Sequence, residues 1–286
     1  MVVKYGTGAF VLLHIFYSFQ TCSASAPLDK ISKINLKEAT RSLNLAMPSD
    51  AEKFYKEADK VDGWFDKRLM FFYLLIDKFQ EENGIVGNLG EIGVWQGKSF
   101  IPLLQLAKKH ECALAVDCFE AYEFNRDNSG GVCNYQGFNN NVKKYCSNHD
   151  RLKIEKGDSA KLSPEVYLRK VENGKGFRMF SIDGCHEGDT TLIDMENAYK
   201  CLVDGGVIMM DDYFHFCWPG VSEGVNAFMN KNTNCLKPFL IALNKVFFAQ
   251  PDYAKKYFDK INAAAIPNMR IKKFFNVETL IYDPQA

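Results

Sequence analysis

The sequence lacks an excess of charge of either sign: its 286 residues include 35 lysines and arginines and 35 aspartates and glutamates. This balance argues against a basic surface that binds nucleic acid. Internal repeats and low-complexity tracts are missing. Beyond the N-terminus the sequence also has no apolar run of about 18 residues, which argues against a membrane-spanning helix in that part of the chain. No two cysteines have the Cys-x-x-Cys spacing of many zinc sites.

The N-terminus has the pattern of a secretory signal. Lys4 supplies a positive charge, residues 8–19 are mostly apolar, and small residues follow around Ala24. A run of this length is too short to span a bilayer and is typical of a signal peptide. We predict that residues 1–24 form a signal peptide and that the protein enters the secretory pathway or the extracellular space; the sequence does not determine whether the segment is cleaved. A signal anchor or a poorly packed tail is the alternative.

Cysteine content fits that compartment. Nine cysteines are present, and an even number remains if Cys22 is removed with the signal. In an oxidising compartment an even number permits disulfides. Cys133 and Cys146 lie in polar stretches and are the candidates for a disulfide.

The rest of the chain predicts one α/β domain. A polar lead-in, residues 25–48, precedes helical patterns at 49–61 and 64–79, which either cover the sheet or form a lid over a pocket. Short apolar strands then alternate with helices, which predicts a doubly wound, mostly parallel, Rossmann-like sheet. We place this domain, with its helical N-terminal extension, at residues 49–250, and assign no role to a tail, residues 251–286.

Several local patterns give more detailed expectations. We expect a helix over 160–171, and a helix that Gly205-Gly206 ends in the usual C-terminal manner. An antiparallel hairpin over 239–249, with its turn at Asn244, is expected to finish the sheet. The polar loop 119–135 is expected beside the cofactor edge, and the aromatic run 213–220 is expected to form a pocket wall.

A strand, a glycine turn, a helix and a second strand follow one another from Gly87 to Asp117. Such a unit binds nucleoside-bearing cofactors, with Gly93 and Gly97 in the turn and Asp117 placed to accept from ribose hydroxyls. The full Gly-x-Gly-x-x-Gly fingerprint is missing, which weakens a dinucleotide interpretation. An ordinary tight turn is the alternative. After the third strand, Asp158 and Ser159 are placed either to meet a base edge or to cap the next helix.

Carboxylates follow two strands that a single helix connects. Asp183 ends the first strand, with His186 three residues on, and Asp211 and Asp212 end the second. Adjacent acids in a partly desolvated site raise each other's pKa unless a positive charge is near, and hard divalent cations prefer carboxylate oxygens. The pattern therefore predicts a cation held by these three aspartates, with His186 as a general base. Alternatively, Asp183 and Asp212 cap helices and Asp211 meets a lysine.

Taken together, the motifs resemble the class I S-adenosylmethionine-dependent O-methyltransferases, most of all the macrocin O-methyltransferase type. The motifs are EIGVWQGKS (91–99), Asp117, GDS (157–159), IDGCHE (182–187) and IMMDDY (208–213). The resemblance implies that Glu91, Gly93, Gly97 and Ser99 bind the methionine part of the cofactor, Asp117 the ribose, and Asp158 and Ser159 the adenine. It also implies Mg²⁺ or another hard divalent cation on Asp183, Asp211 and Asp212, with His186 as the base.

These expectations combine into one functional hypothesis. It is a Mg²⁺-dependent O-methyltransferase that acts on a hydroxyl of a small molecule or glycoside and binds no nucleic acid. The alternatives are an oxidoreductase of the NAD type and a non-catalytic secreted binding protein on the same fold. The sequence does not determine the oligomeric state, and a homo-oligomer is compatible with it.

Overall fold

The computed structural model describes residues 40–127, 129 and 134–284. The predicted signal peptide and Cys133 lie outside them. Helices are α1 (Ser49–Glu57), α2 (Leu69–Glu82), α3 (Phe100–Gln105), α4 (Tyr135–Tyr145), α5 (Pro164–Val171), α6 (Gly188–Cys201), α7 (Pro219–Lys231) and α8 (Pro251–Ala263). Strands are β1 (Asn88–Ile92), β2 (Ala113–Asp117), β3 (Leu152–Lys156), β4 (Phe177–Ile182), β5 (Leu202–Asp211), β6 (Lys237–Ala242), β7 (Lys245–Ala249), β8 (Met269–Phe274) and β9 (Val277–Tyr282).

In the described part of the chain the strands form one sheet in the order β3-β2-β1-β4-β5-β7-β6-β9-β8. The first five are parallel, and β7 pairs with β5 in the antiparallel direction. The order reverses beside β1, and in such a sheet the crevice at the carboxyl ends of the strands is the usual ligand site. The predicted fold class is confirmed.

Apolar side chains cover both faces of the sheet. One face is buried by residues of α1, α2, α3, α4 and α8, and the other by residues of α5, α6 and α7. Helix α2 is buried on most of its circumference, Phe72 and Ile76 completely so. Because burial on every side excludes water, this N-terminal helix is a packed layer of the domain. Every helix described is too short or too polar to cross a membrane.

Three local expectations were wrong in detail. The second helix begins at Leu69, after an exposed Trp64, and residues 159–171 form a short 3-10 turn followed by α5, which begins at Pro164. Proline suits the first turn of a helix because its missing N–H is not needed there, so it starts a new helix. Gly205 and Gly206 do not end a helix: α6 ends at Cys201, and both glycines lie in β5.

The C-terminal part extends the sheet. The predicted hairpin exists as β6 and β7 with its turn at residues 243–244, but it does not finish the sheet. Strand β9 pairs in parallel with β6, and β8 pairs with β9. Residues 251–282 therefore add a helix and two strands to the domain. The candidate disulfide partner Cys146 is a buried free thiol.

A buried arginine holds α2 to the sheet at the end opposite the strand carboxyl termini. Arg178 on β4 is 1% exposed, and its guanidinium contacts Glu111 at 2.9 Å and Asp77 at 2.9 Å. It also donates to the side-chain oxygen of Gln80 at 2.7 Å. The carboxylates of Asp77 and Glu111 therefore balance the positive charge of Arg178 inside the protein.

We expect Arg178→Met to lower the free energy of unfolding by about 3 kcal/mol, because the carboxylates of Asp77 and Glu111 would stay buried without their cation. Urea denaturation at neutral pH measures this. The matched control is Lys255→Met, which breaks an exposed pair with Asp259 (side chains 70% and 56% exposed) and should cost less than about 0.5 kcal/mol. Equal losses in the two variants would contradict a stabilising role of the buried network.

Candidate active site

A cavity of about 450 Å³ opens at the carboxyl ends of the parallel strands. Gly93 after β1, Asp117 at the end of β2, Asp158 after β3, Asp183 after β4 and Asp212 after β5 all line it. Its volume is in the range of small-molecule sites. Other parts of its wall are Phe119, Phe124, Asn125 and Ser129 from the polar loop, and His215, Cys217 and Trp218 from the aromatic run. The predicted positions of that loop and of that aromatic wall are confirmed.

Two acids and a histidine come together in this cavity. One potential ligand atom from each of Asp183, His186 and Asp212 lies within 4.8 Å of the others. Asp212 has a left-handed backbone (φ 57°), which asparagine and aspartate tolerate better than other non-glycine residues. Burial and then the charge of Asp211 raise the pKa of Asp183, and Lys245 offsets this only in part.

Asp211 points to a different partner. Its carboxylate forms an ion pair with the ammonium of Lys245, which is 0% exposed, and Lys245 also donates to Ser181 at 3.1 Å. The side chain of Asn244, in the β6–β7 turn, donates to Asp211 at 2.9 Å and to Asp212 at 2.7 Å. The alternative in which Asp211 meets a lysine is therefore what the structure contains. Among the described residues, the three side chains that could share a metal ion are Asp183, His186 and Asp212, whereas the predicted set was Asp183, Asp211 and Asp212.

His186 is held on three sides. Oδ2 of Asp127 accepts from its backbone N–H at 2.6 Å and from Nδ1 at 2.7 Å, and Nε2 lies 3.2 Å from Asp212. The indole of Trp218 stacks on the imidazole, with ring centroids 4.3 Å apart. Burial lowers the pKa of His186, but the hydrogen bonds to Asp127 and Asp212 outweigh burial and raise it to about 9.

One family model covers the part of the chain that carries this site. Residues 91–213, which include Asp183, His186 and Asp212, match the model of a methyltransferase domain. The part of the chain that carries the site is therefore similar to a methyltransferase domain. This similarity counts against the oxidoreductase alternative, whereas the non-catalytic alternative shares the same fold. No curated protein sequence matches the chain at a significant level.

Solved structures show a similar fold. The O-methyltransferase NovP is 17% identical, with a TM-score of 0.52, over 63% of this chain and 79% of that one. CalS11, described as a TDP-rhamnose 3′-O-methyltransferase of calicheamicin biosynthesis, is 16% identical over 76% and 93% of the two chains, with a TM-score of 0.48. TomG from Streptomyces achromogenes is 13% identical over 73% and 92%, with a TM-score of 0.48. At these identities the likeness to NovP supports the fold alone.

Asp117, the residue predicted to bind ribose, lines the cavity. Its two carboxylate oxygens accept from the backbone N–H groups of Trp95 at 2.9 Å and Phe119 at 2.7 Å. The backbone N–H of Val94 and the side chain of Cys118 also hydrogen-bond to this carboxylate, so most of its acceptor positions are used within the protein.

Asp158 and Ser159 line the cavity and are also used internally. Asp158 accepts from the N–H of Ala160 at 3.1 Å, which caps the short 3-10 turn, and contacts Arg126 at 3.1 Å. The hydroxyl of Ser159 donates to Asp194 at 3.1 Å. Asp158 therefore caps the turn, as one of the two alternatives predicted, and also lies at the cavity wall.

Three predicted cofactor residues stand apart from the cavity surface. Glu91, Gly97 and Ser99 lie outside the set of described residues that line it. Burial raises the pKa of Glu91 to about 7, and Lys245 offsets this only in part. A Cβ on Gly97 would lie 3.2 Å from the ring of Phe138, which would have to shift slightly, and its φ of 89° is in the region that favours glycine.

The site contains residues that the sequence did not single out. Asp127 hydrogen-bonds to His186, Asn244 to Asp212, and Lys245 pairs with the neighbouring Asp211, although each lies about 30 to 60 positions from its partner. Only the aromatic run that contains Trp218 gave a signal in advance. Asp194 on α6 is a further residue that the sequence did not single out; it is 0% exposed and accepts a hydrogen bond from Ser159.

We expect Asp194→Asn to stabilise the protein at pH 8 by a few kcal/mol, and by much less at pH 5. Burial, which the hydrogen bond from Ser159 only partly opposes, raises the pKa of Asp194 from 3.8 to about 7. The pKa of Asp194 is higher in the folded state than in the unfolded state. The native state therefore loses about 1.4 kcal/mol of stability for each pH unit between about 4 and 7. Urea midpoints at both pH values measure this.

The control for Asp194→Asn is Asp252→Asn, at an exposed carboxyl in the first turn of α8. Its effect on unfolding should be small and similar at both pH values. A destabilised Asp194→Asn protein at pH 8 would mean that the ionised carboxylate is needed in the native state.

Proposed function

We propose that the enzyme transfers the methyl group of S-adenosylmethionine to a hydroxyl of a small molecule or glycoside, with the help of a bound divalent cation. The observation that carries this proposal is that Asp183, His186 and Asp212 meet in the same cavity as Asp117 and Asp158. Cofactor-binding and cation-binding groups therefore face one shared space. Mg²⁺ or another hard divalent cation is what the resemblance to macrocin O-methyltransferases implies.

In this proposal the cofactor follows the strand ends in order. Gly93, which lines the cavity, lies at the methionine part, and Glu91, Gly97 and Ser99 shape its turn from behind the cavity wall. Asp117 lies at the ribose, and Asp158 with Ser159 at the adenine. Gly93 touches the cation side directly, since a Cβ built on it would lie 1.7 Å from the carbonyl oxygen of Asp183. The methionine end of the cofactor and the acceptor hydroxyl are thus neighbours, and such positioning supplies much of the rate in a displacement reaction.

When bound, the cation orients the acceptor hydroxyl and lowers its pKa. The protein supplies the ligands and a group that takes the hydroxyl proton. His186, the base suggested by the resemblance, has both ring nitrogens within hydrogen-bond distance of carboxylates. Asp183 is the other candidate for proton acceptance, because its carboxylate lines the cavity beside His186 and Asp212.

Two measurements on the purified protein test the proposal. S-adenosylmethionine and S-adenosylhomocysteine at about 100 times their Kd should stabilise the fold by about 2.7 kcal/mol in thermal unfolding, whereas NADH should not. Methyl transfer to a panel of phenolic and sugar hydroxyls should stop in EDTA and return when a divalent cation is added. Turnover that is unchanged in EDTA would remove the cation from the mechanism but leave methyl transfer in place.

A further inference from the structure

The cation site has a mixed donor set. Asp211 forms an ion pair with the buried Lys245, whereas Asp183 and Asp212 each place a carboxylate oxygen within 4.8 Å of a ring nitrogen of His186. Nε2 lies 3.2 Å from Oδ2 of Asp212. Two adjacent ligands of an octahedral ion at about 2.1 Å are separated by roughly 3 Å, so this spacing suits a shared ion.

The orientation of His186 is that of a metal ligand. Its Nδ1 faces a carboxylate oxygen of Asp127 at 2.7 Å, and that carboxylate also accepts from its backbone N–H at 2.6 Å. Metal-bound histidines commonly donate the other ring N–H to a carboxylate in this way, which fixes the ring and makes the ligating nitrogen more basic. Trp218 stacked on the ring prevents rotation. An ion and a proton compete for the same lone pair on Nε2.

Imidazole and carboxylate differ in the ions they favour. Mg²⁺ takes oxygen ligands and keeps several waters, whereas an imidazole nitrogen suits first-row transition-metal ions and raises affinity along the series from Mn²⁺ to Zn²⁺. We propose that this site selects a first-row transition-metal dication, such as Mn²⁺ or Co²⁺, over Mg²⁺, because His186 is a direct ligand positioned by Asp127. This inference rests on the cation-assisted part of the proposed function and names the ion class.

The test is metal binding to the full-length protein, read by spectroscopy and independently of turnover. Pulsed electron paramagnetic resonance of bound Mn²⁺ should detect coupling to one imidazole nitrogen, and Mg²⁺ should displace Mn²⁺ only at more than about tenfold higher free concentration. In His186→Gln, which offers an amide oxygen near the position of Nε2, the nitrogen coupling should vanish and the preference should fall to a few-fold. His110→Gln, which removes an exposed imidazole outside the cavity, should change neither.

The outcomes separate the two proposals. Mg²⁺ bound as tightly as Mn²⁺, or Mn²⁺ bound without nitrogen coupling, would overturn this inference and leave cation-assisted methyl transfer in place. Failure of Mn²⁺, Co²⁺ and Mg²⁺ all to bind, with turnover unchanged in EDTA, would overturn both this inference and the cation role. Because the wild-type measurements alone decide between these results, misfolding of a variant does not obscure them.

Discussion

Asp212→Asn is expected to lower kcat/KM for methyl transfer by about a thousandfold, which corresponds to about 4 kcal/mol of transition-state stabilisation. The carboxylate of Asp212 faces the space shared with Asp183 and His186, and an amide there carries no charge to hold a cation. Asparagine keeps the left-handed backbone at this position and an oxygen that can accept from Asn244, so the fold should survive. Affinity for S-adenosylmethionine should change by less than about threefold.

The matched control is Asp204→Asn, the same chemical change at an exposed residue near the other end of β5. Steady-state kinetics with a saturating divalent cation, together with calorimetric titration of the cofactor, separate loss of catalysis from loss of binding. A fully active Asp212→Asn protein would show that this carboxylate does not take part in the reaction. A parallel collapse of cofactor affinity would place Asp212 at the cofactor instead.

Gly93→Ala is expected to lower the free energy of unfolding by about 4 kcal/mol or more and to abolish cofactor binding. Gly93 has φ 79°, and an added Cβ would lie 1.7 Å from the carbonyl oxygen of Asp183. Neither backbone can move aside easily: Gly93 N–H donates to Val116 at 2.8 Å, and Asp183 N–H donates to Ile92 at 2.9 Å. Backbone overlap between two central strand ends is more costly than overlap with a flexible side chain.

Gly174→Ala separates the steric cost from the backbone conformation. Gly174 has φ 69°, similar to that of Gly93, but no atom lies within 4 Å of an added Cβ. Its substitution should therefore cost only the left-handed strain, about 1 kcal/mol. Guanidinium denaturation of both variants gives the comparison, and equal costs would refute the argument from close approach.

Much of the fold could be predicted because it depends on local pattern. Alternating apolar strands and helices separated by glycine turns indicate a doubly wound sheet, and strand ends that carry Gly93, Asp117 and Asp183 must meet at one edge of it. The tail could not be predicted. Strand β8 is mostly exposed, and β9 finds its place only by pairing with β6, about 40 residues earlier in the chain. Its short, irregular apolar pattern does not contain that information.

For the site, the sequence determined which chemical groups are present and at which strand ends: the acids after β4 and β5, His186 close to the first of them, and the glycine turn after β1. Their local spacing places them on one edge whatever the details of packing. Only the tertiary structure decided how they pair. Asp211 turns to a lysine from the β6–β7 hairpin, and Asp127 reaches back to His186 from a loop 59 positions away. Such contacts depend on side-chain direction and on long-range packing, because electrostatic partners in a low-dielectric interior are chosen by distance in space.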